Sequence, residues 1–546
     1  MSSDAAEDAG GRVPGHRSGG RFRRGLVVGS ILSAAIVAVL VSIVLLRTPP
    51  LRGSTPPRSS PPTVSTVVGR RPTLFQAEVT IPAQANLMSV PRSFLGISTE
   101  YWTLPVWANH MSLLNRVLSL VRANGPLVLR IGGDSADHAF WAPVQELPEW
   151  IFEITPSWVT QVSTMVHNSG VRLILDLNLV TATPSNAARW ARTAESKLPH
   201  GSIIAFEIGN EPDIYSRISW QIATGGGRGS RALPRKINAS SYAKAFGSYA
   251  RALARVAPGV PLLGPALAEP RKNLNWVSKL LASPHPGLGA VTAHRYPYSQ
   301  CSRPPARTYP TIARVLSENA TAGMARTVRG AVELSARAGL PLRLTEINSV
   351  TCGGRRGVSD TFATALWAPD ALFELLHAGV ASASVHVRAN AINMAFSLTR
   401  RGLVAHPLLY GMTLFSRMLG ADSQLVALRL TTRRSQRIKA WAVRLRGDIM
   451  HVLLIDKGSH SALVGLHLPA AGRATVQRLI APSVRSRSGV TLDGQRLDAQ
   501  GRWQGKPATE TIAPGAAGYQ LKLTPYSAAL VTLHLRPGAL SGNRTR

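Results

Sequence analysis

The sequence predicts an α/β protein whose main body is a (β/α)8 barrel and whose C-terminal part is a β-sandwich. First, eight short apolar runs each precede a stretch of helical periodicity, the alternation that builds such a barrel. Second, those runs are apolar almost throughout, as strands of a parallel sheet covered on both faces must be. Third, beyond about Gly420 the pattern changes to short alternating strands separated by Gly, Asp and Pro.

The predicted barrel strands alternate with predicted helices along residues 94–419. The strands are Phe94–Ser98, Leu127–Gly133, Arg172–Asn178, Ile203–Asn210, Leu262–Leu267, Ala290–Tyr296, Leu342–Asn348 and Ser382–Arg388. Helical periodicity lies at Val106–Ala123, Ser157–His167, Ser185–Leu198, Ser241–Val256, Leu274–Ala282, Thr311–Ala338, Phe362–His377 and Leu408–Leu419. An open, doubly wound sheet is the competing architecture. It fits less well, because no Gly-rich dinucleotide fingerprint follows the first strand.

Residues 73–419 are predicted to form the catalytic barrel and residues 420–546 the sandwich. The sandwich strands are expected at Ile438–Leu445, Met450–Ile455, Ala462–Leu468, Ala474–Leu479, Tyr519–Leu523 and Ala528–Leu535. The segment Leu74–Ile81 also alternates and precedes the barrel, so residues 73–90 are candidates for pairing with the sandwich.

Three segments precede the barrel: a basic tail at residues 1–25, an apolar stretch at 26–46 and a linker at 47–72. As a helix, Leu26–Leu46 is about long enough to span a hydrocarbon core. Five arginines precede it, so the positive-inside bias predicts a single-pass transmembrane anchor with a cytoplasmic N-terminus and an exported catalytic part. Secretion after cleavage of a signal peptide is the alternative. The linker is rich in Pro, Ser and Thr, a composition typical of an extended spacer.

The chain of 546 residues carries a formal net charge of +34, with its basic residues scattered rather than gathered into runs. An Arg-rich proteome accounts for this without any function, and an acidic polymer or cell surface is the second explanation. A nucleic-acid partner is disfavoured because no recognition motif accompanies the charge. Two cysteines exclude a disulfide-dense scaffold and a four-cysteine zinc site. No metal or cofactor is predicted, since neither a His/Cys spacing nor a nucleotide fingerprint occurs.

Two glutamates lie at the ends of barrel strands where such enzymes carry their catalytic groups. Glu211 directly follows the fourth run in the sequence IGNEPD, and Glu346 lies in the last part of the seventh run in LTEINS. Glycoside hydrolysis needs two such carboxyls, one to protonate the leaving oxygen and one to attack or to activate water. Asn210 precedes Glu211 directly and is a candidate to hydrogen-bond a sugar 2-hydroxyl. A solvated loop carboxylate is the alternative for a lone glutamate, and the Asn-Glu-Pro motif with a second glutamate disfavours it.

Several motifs together resemble glycoside hydrolase family 79, the heparanase and β-glucuronidase family, within the large retaining clan of barrel glycosidases. They are FLGISTE at 94–100, RIGGDSAD at 130–137, the Glu211 segment, HRYP at 294–297, EINS at 346–349 and GVSDTF at 357–362. The resemblance covers the chain from about Phe94 to Leu419, and the β-rich tail is similar to the family's accessory domain. The Asn-Glu-Pro element alone identifies only the clan, and the combination is more specific.

The resemblance implies a retaining β-glycosidase that hydrolyses β-glucuronides or uronic-acid-containing glycans by double displacement. Glu211 would be the acid/base and Glu346 the nucleophile, with retention expected if their carboxyls lie about 5–5.5 Å apart. Tyr296, at the end of the sixth strand, is expected to hydrogen-bond Glu346, or else to pack against a loop. A carbohydrate is therefore the expected partner, and an anionic polysaccharide fits the basic charge because attraction raises encounter rates.

The loop after the seventh strand is the expected site for the substrate carboxylate. Members of the family bind that group largely through backbone amides of this loop, which implies the same role for Gly353 and Gly354 here. A flexible turn is the alternative. Cys352 stands where the family more often has other residues. Because Cys301 and Cys352 follow neighbouring strands of the barrel, a disulfide that clamps both loops is expected, with two separate thiols as the alternative.

Asp134, Asn178 and Glu100 are further candidates for substrate binding. Asp134 and Asn178 lie near the ends of the second and third strands, where they either contact sugar hydroxyls or anchor loops. Glu100 precedes two aromatic residues that suggest a sugar-stacking lip, although aromatics there also serve packing. Two other functions stay open: a glycosidase of the same clan that acts on a neutral sugar, and a non-catalytic surface protein that binds carbohydrate.

Overall fold

The computed structural model describes residues 76–82, 84–141, 151–216, 237–433 and 437–540. The predicted cytoplasmic tail, transmembrane anchor and linker lie outside these ranges. Within them, no helix combines the length and the apolar character needed to cross a membrane. The anchor therefore stays a prediction of the sequence.

Eight parallel strands close into a barrel, which confirms the predicted (β/α)8 fold and rules out an open sheet. They are β1 (Leu95–Glu100), β2 (Val128–Gly132), β3 (Arg172–Leu177), β4 (Ile203–Ile208), β5 (Leu262–Leu267), β6 (Leu288–Arg295), β7 (Leu342–Ile347) and β8 (Ser382–His386). Consecutive strands are neighbours, and the ring closes where β8 pairs with β1. All eight C-terminal ends therefore meet at one rim.

Helices cover the outside of the barrel. They are α1 (Met111–Leu120), α2 (Pro156–Ser169), α3 (Pro184–Lys197), α4 (Ala239–Leu253), α5 (Leu274–Leu281), α6 (Ala322–Arg337), α7 (Phe362–His377) and α8 (Pro407–Met418), with short helices Thr103–Ala108 before α1 and Ile312–Val315 before α6. Thr155 and Thr183 cap α2 and α3, each followed by a proline at the first helical position.

Two helices predicted as continuous are broken in the structure. Val106–Ala123 divides at Asn109 and His110, and Thr311–Ala338 divides around a 3-10 turn at Glu318–Ala320. The Ser317 hydroxyl donates to the carbonyl of Arg314 at 2.6 Å, so this side chain competes for backbone groups where the short helix ends. Short polar side chains favour such local bonds over helix continuation.

The barrel interior has an apolar floor with a charged layer above it. The floor consists of Val128, Ile174, Ala205, Leu263 and Ala290. Two residues further along β2, β3 and β4 stand Arg130, Asp176 and Glu207, which are all fully or almost fully buried. Residues two apart in a strand face the same side, so the charged layer lies directly above the floor, towards the C-terminal rim.

Two sheets form a sandwich beside the barrel. One sheet has the order Arg429–Thr432, Ala77–Thr80, Ala462–His467 and Tyr519–Leu523. The other has the order Leu87–Ser89, Gln424–Val426, Ile438–Arg444, Ile449–Asp456, Ser527–Leu535, Ala470–Ile480 and Thr491–Leu492, with Glu510–Ile512 on Ala470–Ile480. Both sheets contribute to one apolar cluster. The segment before the barrel thus supplies one strand to each sheet.

The loops contain short two-stranded sheets. Among the described residues they are Ala139–Trp141 with Phe152–Ile154, Tyr298–Ser299 with Val350–Thr351, Phe396–Thr399 with Gly402–Ala405, and Arg496–Leu497 with Trp503–Gln504.

Helix α7 joins the sandwich to the barrel. The backbone amides of Phe362 and Ala363, in its first turn, donate to the carbonyls of Ser486 and Val484 in a sandwich loop, at 2.7 and 3.2 Å. These bonds satisfy amides that a helix start leaves without intrahelical partners. Because α7 follows β7, the sandwich braces the part of the barrel that carries Glu346.

Candidate active site

Arg130 is the centre of the charged layer, and all of its side-chain N–H groups are engaged. Its Nε donates to Glu207, its Nη1 to Ser98 and Glu346, and its Nη2 to Asp176 and Asn210, at 2.7–3.3 Å. A guanidinium has five donors, so none is left over. The positive charge of Arg130 compensates the negative charges of Glu207 and Asp176. All three side chains are fully buried.

A strand irregularity turns Glu346 into the barrel. In the pairing of β7 with β6, Leu344 is opposite Ala293 but Glu346 is opposite His294, so Thr345 is an extra residue. The Thr345 hydroxyl reaches Glu207 at 2.8 Å, and Glu346 reaches Arg130. Two consecutive side chains thus point inward, which a regular strand does not allow.

Two hydrogen bonds and one close histidine surround the Glu346 carboxylate. Arg130 Nη1 donates to Oε2 at 3.0 Å, and the Tyr296 hydroxyl donates to Oε1 at 2.7 Å. The Nδ1 atom of His386 lies 3.2 Å from Oε2. Burial alone would raise the pKa of this carboxyl, but the facing His386 and Arg130 outweigh burial and hold the pKa well below its usual value. Glu346 is therefore ionised at neutral pH.

Glu211 lies in a different environment on the opposite side of the site. Its backbone is left-handed, with φ of 53°, and its amide donates to the carbonyl of Ala266 at 3.1 Å. Its Oε1 lies 3.0 Å from Nδ1 of His294. Burial and the negative charge of Glu346 raise the pKa of Glu211 well above its usual value. Burial lowers the pKa of His294 to about 4, so this imidazole is neutral at pH 7.

The two glutamates thus form an asymmetric pair. One carboxylate oxygen of each, together with a ring nitrogen of His294, lies within 4.8 Å of the others. A protonated carboxyl beside an ionised one is the arrangement that separates a general acid from a nucleophile. Within the described ranges, these three side chains are also the group whose spacing suits a metal ion. The Arg130 cation at 3.0 Å from Glu346 opposes a second cation there.

Glu100 reaches the site through His386 rather than from a lip. Its Oε2 accepts bonds from the amide and the hydroxyl of Ser135, at 2.9 and 2.6 Å. Its Oε1 lies 3.6 Å from Nε2 of His386, whose other nitrogen faces Glu346. A Cβ on Gly133 would lie within 2.6 Å of the Glu100 carboxylate, so only glycine fits there. Glu100 therefore positions His386.

Asn210 stands between Arg130 and Asp134. Its Oδ1 accepts from Arg130 at 3.0 Å, and its Nδ2 lies 3.5 Å from Oδ1 of Asp134.

Asp137 accepts from the amide of Asn210 at 3.2 Å and from the Tyr215 hydroxyl at 2.6 Å. Asp137 thus anchors the turn that carries Glu211, and burial raises the pKa of Asp137 to about 6. The pKa of Asp134 is raised well above its usual value by burial and by nearby carboxylates.

Asn178 anchors a loop. Its Nδ2 donates to the carbonyl of Ala139 and to the Thr181 hydroxyl, at 3.1 and 2.7 Å. Its Oδ1 accepts from the amides of Thr181 and Ala182, at 2.9 and 3.1 Å. Both ends of the side-chain amide are committed, so Asn178 does not join the candidate substrate contacts.

The loop after β7 is a tightly packed turn. Cys352, Gly353 and Gly354 have consecutive φ values of 57°, 76° and 87°. A Cβ on Gly354 would lie 2.6–2.7 Å from Ser359 and Asn393, and its amide faces the carbonyl of Thr351 at 3.4 Å. The carbonyl of Gly353 accepts from the amide of Ile392 at 2.7 Å. The packing argues against a flexible turn.

A disulfide between Cys301 and Cys352 is present, which confirms the expected bond. It joins the loops after β6 and β7, which also pair through Tyr298–Ser299 and Val350–Thr351. Tyr296 and the Gly353–Gly354 turn therefore belong to one covalently linked part of the rim.

Sequence reasoning did not single out several residues of this site. They are Arg130, Asp176, Glu207, His294 and His386. For Arg130, Asp176 and Glu207 a signal exists, because each is a charged residue inside an otherwise apolar strand. A charge at such a position needs a partner in the barrel.

Solved structures share this fold over most of the chain. A 4-O-α-L-rhamnosyl-β-D-glucuronidase from Fusarium oxysporum is 18% identical with a TM-score of 0.65, and the match covers 84% of this chain and 100% of that one. A family 51 α-L-arabinofuranosidase from Bifidobacterium longum is 16% identical with a TM-score of 0.60, covering 85% and 100%. The family 51 arabinofuranosidase from Xanthomonas axonopodis pv. citri is 15% identical with a TM-score of 0.61. That match covers 84% of this chain and 100% of the arabinofuranosidase. No protein-family model and no curated protein matches the chain.

These structures are glycoside hydrolases, so the chain has a fold on which glycosidic bonds are hydrolysed. At such identities the likeness concerns the fold, and a fold hosts many activities. Family 79 itself is not among the matches described above, so the narrower assignment depends on the site residues.

Proposed function

We propose that the protein is a retaining β-glycosidase with Glu211 as acid/base and Glu346 as nucleophile. The observation that carries the proposal is the opposite displacement of their two pKa values across a gap of less than 4.8 Å between oxygens. A non-catalytic binding protein has no need of such a pair. Buried carboxyls with separated pKa values are costly, and they occur where catalysis requires both states.

The first step would join Glu346 to the sugar. Its ionised carboxylate attacks the anomeric carbon while Glu211 gives its proton to the departing glycosidic oxygen. Tyr296 and Arg130 bind different oxygens of Glu346 and hold the carboxylate plane in place. Oδ1 of Asn210 accepts from Arg130 and one N–H of its Nδ2 faces Asp134, so the second N–H of Nδ2 is the group that would donate to the sugar.

The second step would release the sugar. Glu211, now ionised, takes a proton from a water molecule that attacks the glycosyl ester, and Glu346 leaves as a carboxylate. The low pKa of Glu346 makes it a good leaving group in this step. Nδ1 of His294 contacts Glu211. Because this imidazole is neutral at pH 7, it places no positive charge beside the Glu211 carboxyl.

The proposed substrate is a β-glucuronide or a glycan that contains uronic acid. The family 79 motifs support it, as does the glucuronidase among the structures with this fold. The left-handed Gly353–Gly354 turn brings backbone close to the rim, where amides can face an anion. A neutral sugar is the second candidate, because arabinofuranosidases match the fold with similar TM-scores. The sequence further supports a membrane anchor at residues 26–46 that holds the enzyme outside the cytoplasm.

Hydrolysis of chromogenic glycosides by the purified full-length chain tests the proposal. The panel is 4-nitrophenyl β-D-glucuronide, the β-D-glucoside and the α-L-arabinofuranoside, with the anomer of the first-formed product read by NMR. We expect the β-glucuronide to be cleaved with retention and Glu346→Gln to abolish turnover while thermal unfolding shows an intact fold. Near-wild-type turnover by Glu346→Gln would refute the mechanism. Preference for a neutral glycoside would keep the mechanism and replace the substrate.

A further inference from the structure

Arg388 is a cation at the rim for which the catalytic arrangement has no use. It lies two residues beyond the end of β8, and His386, at the end of that strand, faces Glu346. Arg388 therefore belongs to the loop after β8 at the C-terminal rim, the end of the barrel that carries the catalytic carboxylates.

The guanidinium of Arg388 lies between two loops of the rim. It faces the ring of Trp102, in the loop after β1, with 5.8 Å from Cζ to the ring centroid. On its other side, a Cβ on Gly353 would lie only 3.2 Å from Nη2. The side chain therefore stands against the turn at Gly353 and Gly354, where the proposed substrate carboxylate is expected.

The charge of Arg388 is not neutralised by the protein. Among the described residues no carboxylate forms an ion pair with it, whereas Arg130 has three such partners. The field of Arg388 nevertheless reaches the site, since it lowers the pKa of Asp134 against the effect of burial. A half-buried cation without an anion is a favourable place for an anionic ligand group.

A cation at this position favours the binding of an anionic sugar. The sugar enters a site that already contains the ionised Glu346, and two carboxylates at close range repel each other. Backbone amides of a turn offer partial charges only, while a guanidinium offers a full charge and a fork that fits a carboxylate. Arg130 is fully buried and its donors are all engaged, so it does not serve this purpose.

We propose that Arg388 is the specificity-determining residue that binds the carboxylate of a uronic-acid sugar at this site. The inference rests on the proposed function, because it presupposes that the reacting sugar is anionic. Trp102 and Gly353 set the position of the guanidinium, and the turn after β7 supplies the other side of the subsite.

The test compares Arg388→Gln and Arg388→Lys with the wild type on the β-glucuronide and the β-glucoside. Arg401→Gln is the matched control, an exposed arginine of the same loop region after β8. We expect Arg388→Gln to lower kcat/KM for the glucuronide by about 10- to 100-fold, mainly through KM, as loss of a charge-assisted bond predicts. The rate on the glucoside should stay within about 2-fold. Arg388→Lys should lie between the two, and inhibition by free D-glucuronate should weaken in parallel.

Two outcomes would overturn the inference in different ways. If the wild type prefers the glucuronide and Arg388→Gln keeps that preference, or loses both activities equally, Arg388 does not bind the carboxylate and the glycosidase assignment stands. If the wild type prefers the glucoside, the anionic substrate class fails first and the role of Arg388 fails with it. The wild-type measurement alone separates these cases.

Discussion

Replacement of Arg130 by glutamine is expected to destabilise the barrel and to move the acid limb of the activity profile to higher pH. Arg130 has three ion pairs, to Asp176, Glu207 and Glu346, and its own side chain is 0% exposed. Glutamine removes the cation and leaves these carboxyls facing one another in the barrel interior.

The magnitude follows from burial. Removal of one partner from a buried ion pair costs about 3–5 kcal/mol, against a total stability of about 5–15 kcal/mol for a typical protein. The three contacts share one cation, so their separate costs do not add. Arg130→Lys keeps the charge but has three donors instead of five, so its loss should be smaller.

The pH effect has a definite sign. Arg130 is one of the groups that hold the pKa of Glu346 below its usual value, and Glu346 must be ionised to attack. Activity is therefore lost as the pH falls through this lowered pKa. Without Arg130 the pKa of Glu346 rises, so the loss begins at a higher pH.

Urea unfolding at pH 7 and the pH profile of kcat/KM measure the two effects. Arg343→Gln is the matched control, because Arg343 lies on β7, is half-buried and, among the described residues, has one side-chain hydrogen bond, to the Ser382 hydroxyl at 3.3 Å. In the control, the free energy of unfolding should fall by no more than about 1 kcal/mol, and the acid limb of the pH profile should stay at the wild-type pH. A stability loss in Arg130→Gln that equals the control, together with an unmoved acid limb, would refute the reasoning.

Four other changes have defined outcomes. Glu211→Gln should slow hydrolysis by about 100- to 10,000-fold, as loss of a general acid does. It should also raise the melting temperature at pH 8 but not at pH 4, because the raised pKa of Glu211 makes its stabilising contribution vanish as the pH rises; equal shifts at both values would contradict this. Removal of the Cys301–Cys352 bond, which spans 51 residues, should lower the free energy of unfolding by about 4 kcal/mol in the chain-entropy model. Unchanged urea unfolding of the variant with serine at both positions would exclude this effect. Asn178→Ala should lower the free energy of unfolding by about 1–3 kcal/mol and leave kcat unchanged, whereas Asn210→Ala should lower kcat. Steady-state kinetics and thermal melts of both variants measure this, and the reverse pattern would exchange the two roles.

The sequence alone determined which segments form the barrel. Each of the eight observed strands overlaps a predicted apolar run, because burial on both faces demands a continuous apolar stretch that is visible locally. The same local information located the candidate glutamates, since a polar residue at the C-terminal end of such a run stands at the rim. The two helices that broke, at Asn109 and near Ser317, show where periodicity alone misleads: short polar side chains compete with the helix backbone.

Only the tertiary structure decided what surrounds those glutamates. The contact of Arg130 with Glu346 joins residues 216 positions apart, and nothing in either neighbourhood encodes the other. The extra residue Thr345 reverses the inward and outward sides of β7, and this depends on pairing with β6. Asn178 and Asn210 look alike as polar residues after strands, yet one anchors a loop and the other faces the site. Side-chain direction and partners arise from packing between distant segments, whereas apolar runs record burial one segment at a time.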